Sequence, residues 1–332
     1  MLGFKRIFLL CITALFAFQS HAFLSIFGGD SQEIKIAHYW PETHPHHIAL
    51  EKFKANVEER TNGELTVSIF PNATLGTEKQ MINSIRNGTI QAAIFGSLMQ
   101  DLDYKLGFVE MPFLFRDYEH VQRFYDSEVS HDIENTFEEY NVKHLANIIL
   151  GFRVISSNKP IASPDDYKGV RLRIPNASTF VAMSNNLGVN AQTMAYTEVF
   201  TALEQGVVDA QENPLSSIKS QGFHEVQKYI VVTNHMFTSL NLGMNKEFYD
   251  SLTDEQKAVI DDESKKFGTL ASELTIEEND STLAYFKEQG LEVIEPSEEF
   301  YNWNVSAVAP IYEDTFKKYA WSKDYVDTIR GL

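Results

Sequence analysis

The stretch Val170-Arg171-Leu172-Arg173-Ile174 sets two arginines two positions apart inside an apolar run. In a strand, successive side chains alternate, so Val170, Leu172 and Ile174 share one face and both guanidinium groups the other. Strands of parallel α/β sheets are covered on both faces, and a buried, unpaired arginine costs several kcal/mol. Three solutions are open: a structural carboxylate partner, an exposed edge strand, or a site for an anionic ligand. Arg153, between Phe152 and Val154, poses the same question. If two such forks converge, they suit a carboxylate, which arginine grips through two parallel hydrogen bonds. Gln211-Glu212-Asn213-Pro214-Leu215 follows an apolar segment ending at Ala210 and reads as a polar corner beyond a strand. Pro214 would then open a helix, a corner that can face a ligand, although most such corners are only turns.

Other chemistry is sparse. His44, His46 and His47 could suggest a metal site, but their spacing is not a zinc pattern and the adjacent pair would diverge. They read as a polar loop entering a helix at His46. His120, His131, His144, His224 and His235 read as ordinary surface or core histidines. Phosphate-loop, dinucleotide, nucleophile-elbow and zinc-protease motifs are all absent. No cofactor is expected. With 46 acidic against 28 basic residues the chain carries a formal charge of −18, which argues against a nucleic acid partner. Its 332 residues, 43% apolar, can build one large or two medium cores.

These side chains need a frame. Glu33–His38 alternates as a strand, Ala49, Phe53 and Val57 mark a helix over His46–Arg60, and Leu65, Val67 and Ile69 alternate again. The pattern continues with a helix over Glu78–Arg86 and a strand over Ile90–Phe95. Helices follow near Tyr118–Tyr125 and His131–Tyr140, then a strand near Val142–Leu150. A change of neighbourhood falls near Gly151. Beyond it come strands over Phe152–Ser157 and 170–174, helices over Ser178–Leu187 and Thr197–Gln205, and strands near Val207 and Tyr229–Thr233. Alternating strands and helices predict α/β domains with mainly parallel sheets. The span Thr253–Gln289 stays helical, with Thr253 and Gln256 as a capping box and Gly268 marking a bend or break. Such a helix reaches roughly 50 Å, longer than one domain of this size, so it is expected to cross two lobes.

Residues 1–22 read as a cleaved signal peptide. Lys5 and Arg6 precede an apolar run, and Ser20-His21-Ala22 forms the cleavage site. A lipobox at Leu9-Leu10-Cys11 leaves only four residues after Arg6, too few for an apolar core. Cys11 is the single cysteine and would leave with the peptide, so no disulfide or thiol chemistry remains.

An ordered set of segments then resembles a known family. Gly151-Phe152-Arg153, Ser157-Asn158-Lys159-Pro160-Ile161, Gly169–Asn176 and Asp209–Leu215 are similar to DctP-type solute-binding proteins of TRAP transporters. So are Phe70-Pro71-Asn72, Leu75-Gly76, the Gly88 turn, Met111–Phe115 and Phe223–Tyr229. The resemblance covers nearly all of the chain beyond the signal peptide. It implies a periplasmic protein of two α/β lobes joined by a hinge, lobe I from 31–150 and 239–278, lobe II from 151–238 and 279–332. It implies an organic acid ligand, handed to a sodium-coupled membrane permease, and a monomer by default. By position, Arg173 resembles the family's carboxylate-gripping arginine, Asn213 the asparagine that orients the carboxylate, and Arg153 a supporting arginine. Asn176 and Tyr196 fall where the cleft is lined, and His38, Glu78 and Ser97 on pocket-facing loops of the other lobe. Gly96 stands where sialate-binding members tend to carry an acidic residue, which argues against sialate. C4-dicarboxylates, hydroxy acids and sugar acids all fit one such anchor. The competing readings are an extracytoplasmic hydrolase or lyase using the same cleft, and a sensory module presenting its ligand to a receptor.

Overall fold

In the computed structural model, residues 31–332 are described; the expected signal peptide lies outside the described residues. A mixed sheet runs in the order Leu65–Phe70, Gln32–Ala37, Ala92–Phe95, Phe237–Asn245, Val142–Ser157, Ala210–Pro214, Arg171–Ile174, Asn190–Thr193. The first three strands are parallel to one another, as are the last three. Between them lie two long strands, antiparallel to each other and to the strand flanking each of them. Tyr229–Val231 pairs with the second long strand and with Glu292–Ile294.

Two expectations change here. Val142–Leu150 and Phe152–Ser157 are one continuous strand, not two. Gly151, at φ +126°, takes a conformation that only glycine adopts readily and absorbs a register shift. The strand therefore passes from one half of the molecule to the other: through Phe152 it pairs with Phe237–Asn245, and from Arg153 onward with Ala210–Pro214. Because the two crossing strands pair antiparallel, the sheet is mixed rather than mainly parallel.

The long helix spans Asp254–Glu288 without interruption, and Thr253 and Gln256 form its capping box. Gly268 is not a break. A Cβ there would lie 2.8 Å from the Asn147 carbonyl and 3.0 Å from the Ala146 Cβ, so the missing side chain lets helix and strand approach. One end of this helix packs on Pro45–Arg60, and the other on Leu215–Ser220 and Glu292–Ile294. It thus crosses both halves, as its length predicts. Helix Glu298–Lys318 packs on Ser178–Leu187, but the final helix, Ser322–Gly331, returns to Glu128–Thr136 on the opposite half. The Ile329 carbonyl lies 2.6 Å from His120 Nε2. The last turn of the chain therefore touches the elements of 31–150 as well as Glu298–Lys318. None of the helices among the described residues is long and apolar enough to cross a membrane.

Candidate ligand-binding site

The two arginines of strand Arg171–Ile174 have different fates. This strand is flanked on both sides, so the edge explanation falls away. Val170, Leu172 and Ile174 are buried, as alternation requires. Arg171 Nη2 donates to Asp209 Oδ1 at 2.7 Å and its Nε to Oδ2 at 3.1 Å, a partly exposed structural pair. Arg173 is 2% exposed and makes no ion pair with a carboxylate among the described residues. Its Nε and Nη2 both donate to the Met194 carbonyl, at 3.2 and 2.7 Å, which fixes the direction of the fork. Burial pulls its pKa down to about 10, so it stays cationic at neutral pH.

Arg153 is buried beside it, but already matched. Its Nε pairs with Glu212 Oε2, and its Nη2 donates to Glu212 Oε1 at 2.9 Å and to Asn213 Oδ1 at 3.1 Å. Thr238 Oγ1 accepts from Nη1 at 3.0 Å. Burial opposes ionisation of Glu212, yet Arg153 and His235 hold its pKa below the usual carboxylate range. The run Gln211-Glu212-Asn213-Pro214 is not a corner beyond a strand: it is the strand, paired to Val154, Ile155 and Ser156, and Pro214 caps the helix Leu215–Ser220. Nor does Val207 lie in a strand; it is exposed between helix and strand. Asn213 Nδ2 donates to Gln211 Oε1 at 2.6 Å, which orients the amide.

These groups meet at a cavity of about 270 Å3. Arg153, Arg173, Asn176, Tyr196, Asn213 and Ser217 line it from one half, and Tyr39, Trp40, Glu78, Gly96, Leu98 and Leu240 from the other. Tyr39 and Tyr196 meet across it edge to face, with centroids 5.2 Å apart. Six of the eight expected residues thus line one cavity. His38 does not: it is fully buried outside the cavity wall, with Nε2 3.0 Å from His47 Nδ1. Ser97 opens a short 3-10 turn between the lining residues Gly96 and Leu98, and its side chain lies outside the described set.

His44, His46 and His47 are not a polar loop. All three are buried, and His44 caps helix Pro45–Arg60 by accepting from the His46 N–H at 3.2 Å. Trp40 stacks on His44, which ties this cluster to the cavity wall. No group of three or more histidine or acidic side chains among the described residues is placed to hold a metal ion. Sequence reasoning missed Glu212 as the partner of Arg153 and Met194 as the acceptor for Arg173. The first had a signal, an acid inside a strand-length segment; the second is a backbone carbonyl and had none.

Comparison with known proteins agrees with this architecture. Residues 36–319 match the family described as bacterial extracellular solute-binding protein, family 7. The 2,3-diketo-L-gulonate-binding periplasmic protein of Escherichia coli is 34% identical over 266 residues, 80% of this chain and 81% of that one. A TRAP periplasmic solute-binding protein from Haemophilus influenzae, solved with bound L-gulonate, is 40% identical. It superposes with a TM-score of 0.88, covering 91% of this chain and 99% of its own. The sugar acid-binding protein of Advenella mimigardefordensis, in complex with galactonate, gives 28% identity and a TM-score of 0.88, covering 91% and 98%. The two lobes are those of TRAP periplasmic binding proteins, and the chain belongs to the family 7 extracellular solute-binding proteins.

Proposed function

We propose that this protein captures a small organic acid, of the sugar acid class, between its two lobes and delivers it in the periplasm to a sodium-coupled TRAP permease. One observation carries the reading: Arg173 is buried in the cavity wall, aimed by a carbonyl and unmatched by any carboxylate in ion-pair contact among the described residues. A ligand carboxylate supplies the missing anion through the guanidinium fork, with Arg153 and Asn213 beside it and Asn176 and Tyr196 completing the wall. The acidic chain repels anions at long range, so capture depends on this desolvated local charge, where pairing is far stronger than in water. An acid touching both walls binds the closed form better than the open one and so favours closure. The L-gulonate and galactonate ligands of the similar structures support a sugar acid over a simple dicarboxylate. No step in this reading asks for bond chemistry; the protein acts as a monomeric carrier rather than a hydrolase or lyase. A thermal-shift screen of aldonates, uronates and C4-dicarboxylates tests it: a ligand at 100 times its Kd adds about 2.7 kcal/mol of stability. The reading fails if no organic acid raises the melting temperature, or if the bound acid is recovered chemically altered.

A further inference from the structure

The cavity is electrostatically polarised. Arg173 and Arg153 hold one side, and Glu78, opening the helix Glu78–Arg86, stands on the other lobe. Glu78 Oε1 accepts from the Gly96 N–H at 2.8 Å, so a backbone donor fixes the carboxylate in the wall. Gly96 also leaves it uncovered: a Cβ there would lie 3.6 Å from Oε1 and 3.1 Å from Leu240 Cδ2. The Tyr39 hydroxyl is 4.0 Å from the same point, which places a second polar group beside the carboxylate. Glu110, almost fully buried, adds another carboxylate to this side. The nearest lining cation of the same lobe, Lys79, is exposed and paired with Asp101 at 3.2 Å, so it offers no counter-charge inside.

We propose that Glu78 sets the ligand class: it accepts hydrogen bonds from hydroxyls at the end of the ligand remote from its carboxylate, and it excludes acids that carry a second carboxylate there. This rests on capture of the first carboxylate by Arg173. Burial raises the pKa of Glu78, while the Gly96 and Leu98 N–H groups and the charges of Arg173 and Arg153 oppose that rise and favour the ionised form. In that form the carboxylate can only accept, so it matches hydroxyl donors. Facing a second carboxylate in a closed cavity, it adds like-charge repulsion to an unmet acceptor, and specificity arises from what the site penalises as much as from what it holds. A site built to bond a hydroxyl rejects analogues lacking it by large factors. The cavity therefore favours polyhydroxy monocarboxylates over their dicarboxylate counterparts, although both present the same head to Arg173.

L-gulonate and glucarate form the matched probe pair, since they share their stereocentres and differ in a terminal hydroxymethyl against a carboxylate. Calorimetry on the purified protein is expected to give at least 100-fold tighter binding of L-gulonate than of glucarate. In Glu78→Gln that ratio falls at least tenfold, whereas Glu78→Asp, which keeps the charge, retains most of it. Equal binding of the two acids by the unaltered protein overturns the proposal without needing any variant. So does an unchanged ratio in Glu78→Gln with L-gulonate still bound, a result that leaves capture by Arg173 standing. Binding of neither acid alongside tight binding of a different acid overturns the role of Glu78 alone; binding of no acid overturns the capture reading too.

Discussion

Arg153 and Glu212 close on each other through the Nε–Oε2 pair and an Nη2–Oε1 hydrogen bond of 2.9 Å, and Nη2 also donates to the Glu212 carbonyl at 2.6 Å. Neither side chain is accessible to solvent to any extent that would relieve a broken pair. Arg173 stands in the same cavity wall, and among the described residues its only hydrogen-bond acceptor is the Met194 carbonyl, with the Tyr196 ring 5.9 Å away. One arginine has its counter-ion within the protein, and the other is the one we propose receives a ligand's anion.

This difference predicts a division of effects. Arg173→Ala is expected to weaken acid binding by about 2–5 kcal/mol, the usual cost of cutting a desolvated charge pair. The melting temperature of the empty protein should change little. Arg173→Lys should also lose affinity, because a point charge cannot replace the planar fork. Arg153→Ala strands Glu212 and should destabilise the fold by about 3–5 kcal/mol. Calorimetry and urea unfolding on both variants check this; equal affinity in Arg173→Ala would remove the assignment of that residue.

Gly151 sits just before the crossing strand changes partner, from Phe237–Asn245 to Ala210–Pro214. An added Cβ would meet Asn279 Nδ2 at 2.5 Å and the Tyr118 hydroxyl at 3.0 Å, on a backbone already at φ +126°. Asn279 there joins both sides, donating to the Leu150 carbonyl at 3.0 Å and accepting from the Ser216 N–H at 2.7 Å. Gly151→Ala is expected to cost about 1–3 kcal/mol of stability through backbone strain alone. It should also lower affinity by displacing Asn279 from the crossing point. Urea unfolding and calorimetry on that variant would show unchanged values if the glycine were merely tolerated.

Burial, reinforced by the neighbouring histidines His47 and His46, pulls the pKa of His38 down to about 3, and burial does the same for His46. Their ordinary value is near 6.5. Between those limits the unfolded chain binds protons that the folded one refuses, so stability rises with pH and falls as acid is added. Each such histidine removes up to about 1.4 kcal/mol per pH unit below 6.5. The urea midpoint should therefore drop from pH 6.5 to pH 5, above the range of ordinary carboxylates. It should drop less steeply in His46→Gln, and a flat profile in the unaltered protein would show that these rings are protonated when folded.

Local pattern was enough for much of the frame. Helices Glu78–Arg86, Tyr118–Tyr125 and Ser178–Leu187 occupy the residues that periodicity marks, and Thr253 caps the long helix as its sequence foretells. Such features depend on neighbours a few positions away, as does the sharing of one strand face by Arg171 and Arg173. The fate of each arginine does not. Arg171 finds Asp209 38 positions on, Arg173 finds Met194 21 positions on, and Arg153 finds Glu212 59 positions on. The continuity of the strand through Gly151 and the close helix contact at Gly268 were likewise settled only by long-range packing. Sequence determined that two arginines would share one face of a strand. Folding decided which of them was left without a carboxylate partner among the described residues, because a buried cation is neutralised by whichever anion the distant chain brings within reach.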